Sequence, residues 1–293
     1  MMWIAASTIL IMLVIGFALS LHVATTLGLT ALVVGLTFIG PVWDFFGEIP
    51  WNTNSSVTIT VVPLFVLMGE LLLRAGLTDD LYTALSRFMG KVPGGLLHTN
   101  VLACGVFAAV SGSSLATATT IGSVALPVMR QRGYSERLTL GSIAAGGTLG
   151  ILIPPSLIMI VYGLIAEVSI GQLYVAAVVP GLLMVLLFLL TIVVSSIFSK
   201  KEPDPLDKSY NWREKLQGLI EILPIVALIV LIIGVIYAGV ATATEAAAFG
   251  VAGAFFMALL KGRVNGRMLE DAFLATASTT AMILFVLTAA FLL

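Results

Sequence analysis

The sequence predicts an all-α, polytopic membrane protein, and three observations point to it. Of 293 residues, 59% are hydrophobic and 10% charged, with a mean hydropathy of +1.13; soluble domains carry about 25% charged residues. Apolar runs close to the roughly 20 residues that cross a hydrocarbon core recur along the chain. The 14 basic residues gather in four clusters instead of spreading along it. This composition excludes a soluble enzyme and a disordered chain. A net charge of −1 supplies no field for anionic polymers, so a nucleic-acid partner is excluded too. The single cysteine, Cys104, excludes a disulfide scaffold or a cysteine metal site, and His22 and His98 leave little for a histidine site.

About eight spans follow, at roughly 3–22, 26–46, 57–73, 139–166, 171–199, 216–239, 243–260 and 277–293. No Lys or Arg precedes the first, which reads as an uncleaved span and not as a secretory signal with a positive n-region. The basic clusters are Arg74, Arg87 and Lys91; Arg130, Arg132 and Arg137; Lys200, Lys201, Lys208, Arg213 and Lys215; and Lys261, Arg263 and Arg267. The positive-inside rule places all four in the cytoplasm and the N-terminus outside. Between spans 57–73 and 139–166, residues 77–90 read as an amphipathic interfacial helix. Leu81, Leu85 and Phe88 lie on one face, and Thr78 is its expected cap.

Residues 92–129 must enter and leave on the same side. Two full spans need about 40 residues plus a turn, and the polar stretch Ser111-Gly112-Ser113-Ser114 sits in the middle. The arm Leu115–Met129 reaches about 22 Å as a helix, short of the roughly 30 Å core. Residues 96–129 are therefore expected to form a re-entrant helical hairpin that stops partway across. Non-helical backbone at that depth has to be buried in protein or line a cavity. Its serine hydroxyls and freed carbonyls suit a small hard cation, although Gly and Ser also serve ordinary helix contacts.

A second break is expected at Gly146-Gly147-Thr148-Leu149-Gly150-Ile151-Leu152-Ile153-Pro154-Pro155-Ser156. Two prolines remove two backbone donors and push Ile153 out of α geometry. The result is a discontinuous helix, with free carbonyls around Gly150–Pro155 for a cation and a fresh helix N-terminus near Ser156 for a carboxylate. Elsewhere, Thr242-Ala243-Thr244-Glu245 matches a capping box, and Glu70 and Arg74 form an i, i+4 pair; both read as structural. Between Leu96 and Ala166 the only carboxylate is Glu136, in an Arg-rich loop. Proton relays in membranes use embedded Asp, Glu or His, so Na⁺ fits better than a proton. An intramembrane serine protease fails on geometry: His98 and Ser111 stand about 20 Å apart on a continuous helix, and G-x-S-x-G is missing from the region.

Residues 58–73 (TITVVPLFVLMGELLL) and 278–293 (STTAMILFVLTAAFLL) align without gaps at an offset of 220, matching at Thr60/Thr280, Leu64–Leu67/Leu284–Leu287, Leu72/Leu292 and Leu73/Leu293. Their expected orientations are opposite, as in the inverted repeats of secondary transporters. The second copy reaches Leu293 inside its first matched helix, so the chain is expected to correspond to about two-thirds of a protein, as a natural truncation, a fragment or half of a split subunit.

Several segments together resemble the large membrane subunit of TRAP transporters, the DctM family: Phe65–Leu71 followed by Gly76-Leu77-Thr78; Gly94-Gly95-Leu96; Val110-Ser111-Gly112-Ser113; Gly122-Ser123; Gly147-Thr148 followed by Ile153-Pro154-Pro155-Ser156; Ser169-Ile170-Gly171; and Thr244-Glu245-Ala246-Ala247, where Ala243 replaces a common proline. The resemblance implies an elevator-type, Na⁺-driven importer of small carboxylates, C4-dicarboxylates or related acids. It would work in a bacterial inner membrane with a small DctQ-like membrane subunit and a periplasmic DctP-like binding protein. It implies Na⁺ ligands at Ser111, Ser113, Gly150, Ile153 and Pro155, with Gly112, Ser114, Pro154 and Ser156 near the substrate. The implied organisation has scaffold helices in 1–56, a span plus arm helix in 57–95, half of the transport domain in 96–166, further scaffold with a cytoplasmic loop 200–215 in 167–260, and the start of the second repeat in 261–293. Two alternatives stay open: an elevator transporter working without a binding protein, and a non-transporting remnant.

Overall fold

The computed structural model describes residues 2–89, 92–198 and 210–293. Lys91 and most of the expected loop 200–215, with Lys200, Lys201 and Lys208, lie outside the described residues. Among the described residues every regular element is helical. Six helical stretches are long and apolar enough to cross a membrane: Val57–Arg74, Glu136–Ile165, Ile170–Phe198, Trp212–Tyr237, Ala243–Leu260 and Gly266–Leu292. The first two expected spans are shorter, at 17 and 16 residues. The chain divides into two compact units, one of residues 1–60 with 277–293 and one of residues 61–276.

The first unit opens with α1 (Met2–Ala18) and α2 (Val23–Phe38), joined through Ser20 at φ 57°. The two pack closely because Gly16 offers no side chain: a Cβ there would lie 2.3 Å from Thr26 Cγ2. A helix that the sequence did not announce follows, α3 (Trp43–Asn54), with Pro50 inside it and Trp43, Phe45 and Trp51 exposed. Gly47, Pro50 and the run Asn52-Thr53-Asn54-Ser55 gave the stretch the look of a loop. A 3₁₀ turn, Val57–Thr60, closes the segment. Leu284, Phe285, Thr288, Ala289 and Leu292 of the chain's last helix complete an apolar groove with α2 and α3, and Asn54 Nδ2 donates to Thr288 Oγ1 at 3.1 Å.

The second unit contains α4 (Val61–Arg74), α5 (Leu77–Ser86), α6 (Leu96–Ser111), α7 (Ser114–Gln131), α8 (Glu136–Leu152), α9 (Leu157–Ile165), α10 (Ile170–Phe198), α11 (Trp212–Tyr237), α12 (Ala243–Leu260) and the first turns of α13 (Gly266–Leu292). Its core is the hairpin α6–α7 clasping α8, with α10 along α6 and α8. Leu96, Leu97, Val101, Met129, Tyr134, Leu149 and Ile192 are buried together there. α12 lies along α4, where Gly250 admits Met68: a Cβ would meet its sulfur at 2.6 Å.

The arm helix is shorter than expected and differently bounded. Gly76, at φ 66°, is the N-cap of α5; Thr78 lies inside the first turn with its hydroxyl buried and unpaired, so it is not the cap. The inward face holds Leu77, Thr78, Leu81 and Tyr82, with Leu85 and Phe88 half-buried at its margin. α5 packs on α6 and α11 and does not lie free. Tyr82 Oη donates to Asn100 Oδ1 (2.8 Å), Asn100 Nδ2 donates to Ser142 Oγ (2.8 Å), and Ser142 Oγ donates to the Thr139 carbonyl (2.8 Å). This buried chain fixes α5, α6 and α8 in register. At the helix ends, Asp80 pairs with Lys261 and with Arg263 at 3.1 Å, and Arg74 pairs with Glu70 at 3.0 Å and Asp271 at 3.7 Å. The Thr242–Glu245 capping box forms, and a second one starts α11 at Asn211 and Glu214.

Candidate functional site: a hairpin tip against a broken helix

The tip is as tight as its residues permit. α6 ends at Ser111, Gly112 adopts φ 59°, and Ser113 begins α7 as its N-cap, accepting from the Ala116 N–H at 3.3 Å. Only glycine takes this left-handed conformation without strain. Ser111 Oγ lies 2.9 Å from Thr117 Oγ1, and Thr117 Oγ1 donates to the Ser113 carbonyl at 2.7 Å. Thr117 is fully buried and belongs to the tip. The sequence offered a faint signal for it, a hydroxyl one turn beyond Ser113, which the surrounding run of threonines masked.

The break forms where the prolines predict it. α8 ends at Leu152, Ile153 is extended (φ −84°, ψ 118°), the Pro154–Pro155 bond is cis, and α9 begins at Leu157. Because Pro154 and Pro155 have no N–H, the carbonyls of Gly150 and Ile151 lose their helical donors. The Ile153 side chain packs near Gly105 and Gly181.

Tip and break meet. The Leu157 N–H, at the start of α9, donates to the Gly112 carbonyl at 3.1 Å. A Cβ on Gly112 would lie 3.0 Å from the Pro155 carbonyl oxygen. A Cβ on Gly150 would lie 2.7 Å from both the Ser113 carbonyl carbon and the Ser114 nitrogen. Gly147 admits Ala118 in the same way, and Gly69 of α4 lies beneath Val110 and Ser111. Thus the structure gathers Ser111, Gly112, Ser113, Ser114, Gly150, Pro155 and Leu157 at one junction. Pro154 and Ser156 are buried in the break itself, and Ile153 supplies its first residue. The oxygens available are hydroxyls and carbonyls; among the described residues no cluster of three or more His, Cys, Asp or Glu side chains could hold a metal ion. Such neutral oxygens suit a weakly held monovalent cation better than a transition metal. Gly69 and Tyr174 are further neighbours that the sequence did not single out; Tyr174 packs edge-on to Phe65, with centroids 6.4 Å apart.

The model of the family described as tripartite ATP-independent periplasmic transporter, DctM component, matches residues 3–293. The chain belongs to the DctM family. The C4-dicarboxylate TRAP transporter large permease protein DctM of Pseudomonas aeruginosa is 36% identical over 83% of this chain and 56% of its own length. Its namesake in Rhodobacter capsulatus is 33% identical over 92% of this chain and 64% of its own length. The ectoine TRAP transporter large permease protein TeaC of Halomonas elongata is 35% identical over 65% of this chain and 44% of its own length. The chain therefore spans roughly half to just under two-thirds of the relatives it matches. Those DctM relatives are named as transporter permeases and not as enzymes. The protease geometry fails here too, since His98 Nε2 is engaged with the Pro93 carbonyl at 2.8 Å and Ser111 ends the same helix.

Proposed function

We propose that the chain is part of the large membrane subunit of a Na⁺-coupled, binding-protein-dependent secondary transporter that imports small organic acids across the bacterial inner membrane by an elevator movement. One observation supports this above all others: two non-helical breaks, at Gly112-Ser113 and Ile153–Ser156, meet with hydroxyl and carbonyl oxygens, and residues 96–166, which carry both, hold Glu136 as their single carboxylate. Helix breaks at membrane depth are the usual ion and substrate sites of secondary transporters. In this reading Ser111, Ser113, Gly150, Ile153 and Pro155 ligate Na⁺, several through carbonyls. Gly112, Ser114, Pro154 and Ser156 stand near the substrate, whose carboxylate is attracted by the α9 N-terminus. A small DctQ-like membrane subunit and a periplasmic DctP-like binding protein complete the system, and the N-terminus is periplasmic.

Residues 96–166 form half of the moving domain, and residues before 57 and 216–260 the scaffold. The offset of 220 supports the repeat in one further way. Leu64, Phe65, Met68, Gly69 and Leu72 of α4 correspond to Leu284, Phe285, Thr288, Ala289 and Leu292 of α13, and those five counterparts line the apolar groove of the first unit. Relatives are named for C4-dicarboxylates and for ectoine, so the substrate of this system is assigned only as a small carboxylate.

Proteoliposomes holding the complete membrane complex, supplied with binding protein and a radiolabelled carboxylate, test the proposal. Uptake should require an inward Na⁺ gradient and persist when the proton gradient is collapsed. Uptake driven equally by a proton gradient in K⁺ medium would contradict it. In the Ser111→Ala protein the Na⁺ concentration for half-maximal uptake should rise about tenfold, the loss of roughly 1.4 kcal/mol from one oxygen ligand.

A further inference from the structure

The hydroxyls of the tip are held in a fixed order of donors and acceptors. Thr117 Oγ1 lies 2.7 Å from the Ser113 carbonyl oxygen, which can only accept, so the single Thr117 proton is spent there. Helix threonines commonly bond back to the carbonyl four residues earlier; Thr119 and Thr276 do the same here, at 2.8 and 2.7 Å. Ser111 Oγ lies 2.9 Å from Thr117 Oγ1. With the Thr117 proton already placed, Ser111 is the donor of that contact. The Ser113 carbonyl offers Ser111 no equal alternative. It already accepts the Thr117 N–H at 3.0 Å and the Thr117 O–H, which fill its two lone pairs, and it stands 3.4 Å from Ser111 Oγ. The order therefore runs from the Ser111 hydroxyl to the Thr117 hydroxyl to the Ser113 carbonyl, each bond polarising the next. Thr117 is fully buried, so solvent does not compete for either bond.

We propose that Thr117 is a positioning residue of the cation site, fixing Ser111 with its proton turned away from the junction and a lone pair presented to it. A hydroxyl oxygen has one proton and two lone pairs. The Ser111 proton goes to Thr117. One lone pair faces the Ser113 N–H at 3.4 Å, and the other remains for a cation. The reverse order would leave the Ser111 proton to point into the junction, where it repels a cation. Thr117 thus acts on the ion through Ser111 and is not itself a ligand. This role rests on the cation reading above and deepens it, by naming what makes a serine hydroxyl at the tip present oxygen and not hydrogen.

The test is Na⁺-dependent melting of the purified protein in nanodiscs, with NaCl replacing choline chloride at constant ionic strength. Thr117→Val keeps the shape of the side chain and removes the hydroxyl. The Na⁺ midpoint should rise about three- to tenfold, the fold-change to which the net worth of one hydrogen bond corresponds. Thr117→Ser, which keeps the hydroxyl, should restore the wild-type midpoint. In a Ser111→Ala background, Thr117→Val should add no further shift, because the effect passes through the Ser111 hydroxyl. Thr117→Ala takes the place of the valine variant if that protein does not fold. A Thr117→Val protein that melts lower by the same amount in choline and in NaCl, with the wild-type midpoint, overturns the proposal and leaves Thr117 a packing residue. A full additional shift in the Ser111→Ala background overturns it too, since Thr117 would then meet the cation directly. If wild type itself gains nothing from Na⁺, the cation reading fails and this role falls with it; a Na⁺ response in wild type that Thr117→Val leaves unchanged refutes the role of Thr117 alone.

Discussion

Gly150→Ala tests most sharply how the tip and the break are fitted. The added Cβ would lie 2.7 Å from the Ser113 carbonyl carbon and the Ser114 nitrogen and 2.8 Å from the Ser113 oxygen. All three are backbone atoms, so no side chain can swing away. Carbon contacts settle near 3.5–4.0 Å, which requires α8 and the tip to separate by roughly 1 Å. Overpacking of this kind costs about 1–3 kcal/mol; at a backbone contact the upper figure applies. The Gly-to-Ala gain in helix propensity returns about 1 kcal/mol, leaving a net loss of about 2 kcal/mol, or a fall of about 4–8 °C in melting temperature. Gly141 is the control. It lies in the same helix, and a Cβ there meets nothing within 4 Å, so Gly141→Ala should be neutral or raise the melting temperature. The assay is thermal unfolding followed by intrinsic fluorescence in nanodiscs, for both variants side by side. Equal melting temperatures for Gly150→Ala and Gly141→Ala would refute the close approach and the junction built on it.

Two further predictions concern the frame that holds the junction. Burial by itself would raise the Asp80 carboxyl, but hydrogen bonds and charge from Lys261 and Arg263 outweigh it and hold the group below its ordinary value. A depressed folded value means the pairing stabilises fully above the unfolded carboxylate range, near pH 4, and is lost as pH falls through the folded value. Melting temperature in wild type should therefore drop between pH 5 and pH 3, and Asp80→Asn, about 1 kcal/mol less stable at pH 7, should lack that part of the drop. Asn100→Leu removes both hydrogen bonds of a fully buried amide and strands the Tyr82 hydroxyl; a loss of about 2–4 kcal/mol is expected. Tyr82→Phe should cost less than half of that, and hydrogen exchange in α6 and α8 would show whether their register loosens.

Much of this was legible in the residues, for identifiable reasons. The break at Ile153–Ser156 was readable because proline acts locally: it deletes donors whatever surrounds it. The tip at Gly112 was readable from its small residues and from the short arms on either side. Other features depend on tertiary neighbours. Nothing in Tyr174 marks it out from any span tyrosine until Phe65 is placed beside it. Thr78 resembled a cap because acids follow it, but Gly76 in the left-handed region starts α5 two residues earlier and turns Thr78 inward. α3 was missed because Gly47, Pro50 and the run Asn52-Thr53-Asn54-Ser55 are turn residues, which masked the polar face of Asp44, Glu48 and Asn52. The contacts of Gly150 and Gly147 with the tip are set by tertiary neighbours, and the structure gives both glycines a steric reason.

The most direct test of the central claim is Na⁺ binding to the purified protein. Melting temperature is followed as NaCl replaces choline chloride at constant ionic strength, with KCl as the parallel series. A cation held at the junction of Ser111, Ser113, Gly150, Ile153 and Pro155 predicts saturable stabilisation by Na⁺ alone, with the midpoint shifted about tenfold upward in Ser111→Ala. Identical curves in NaCl, KCl and choline chloride, or a Na⁺ response that Ser111→Ala leaves untouched, would contradict it.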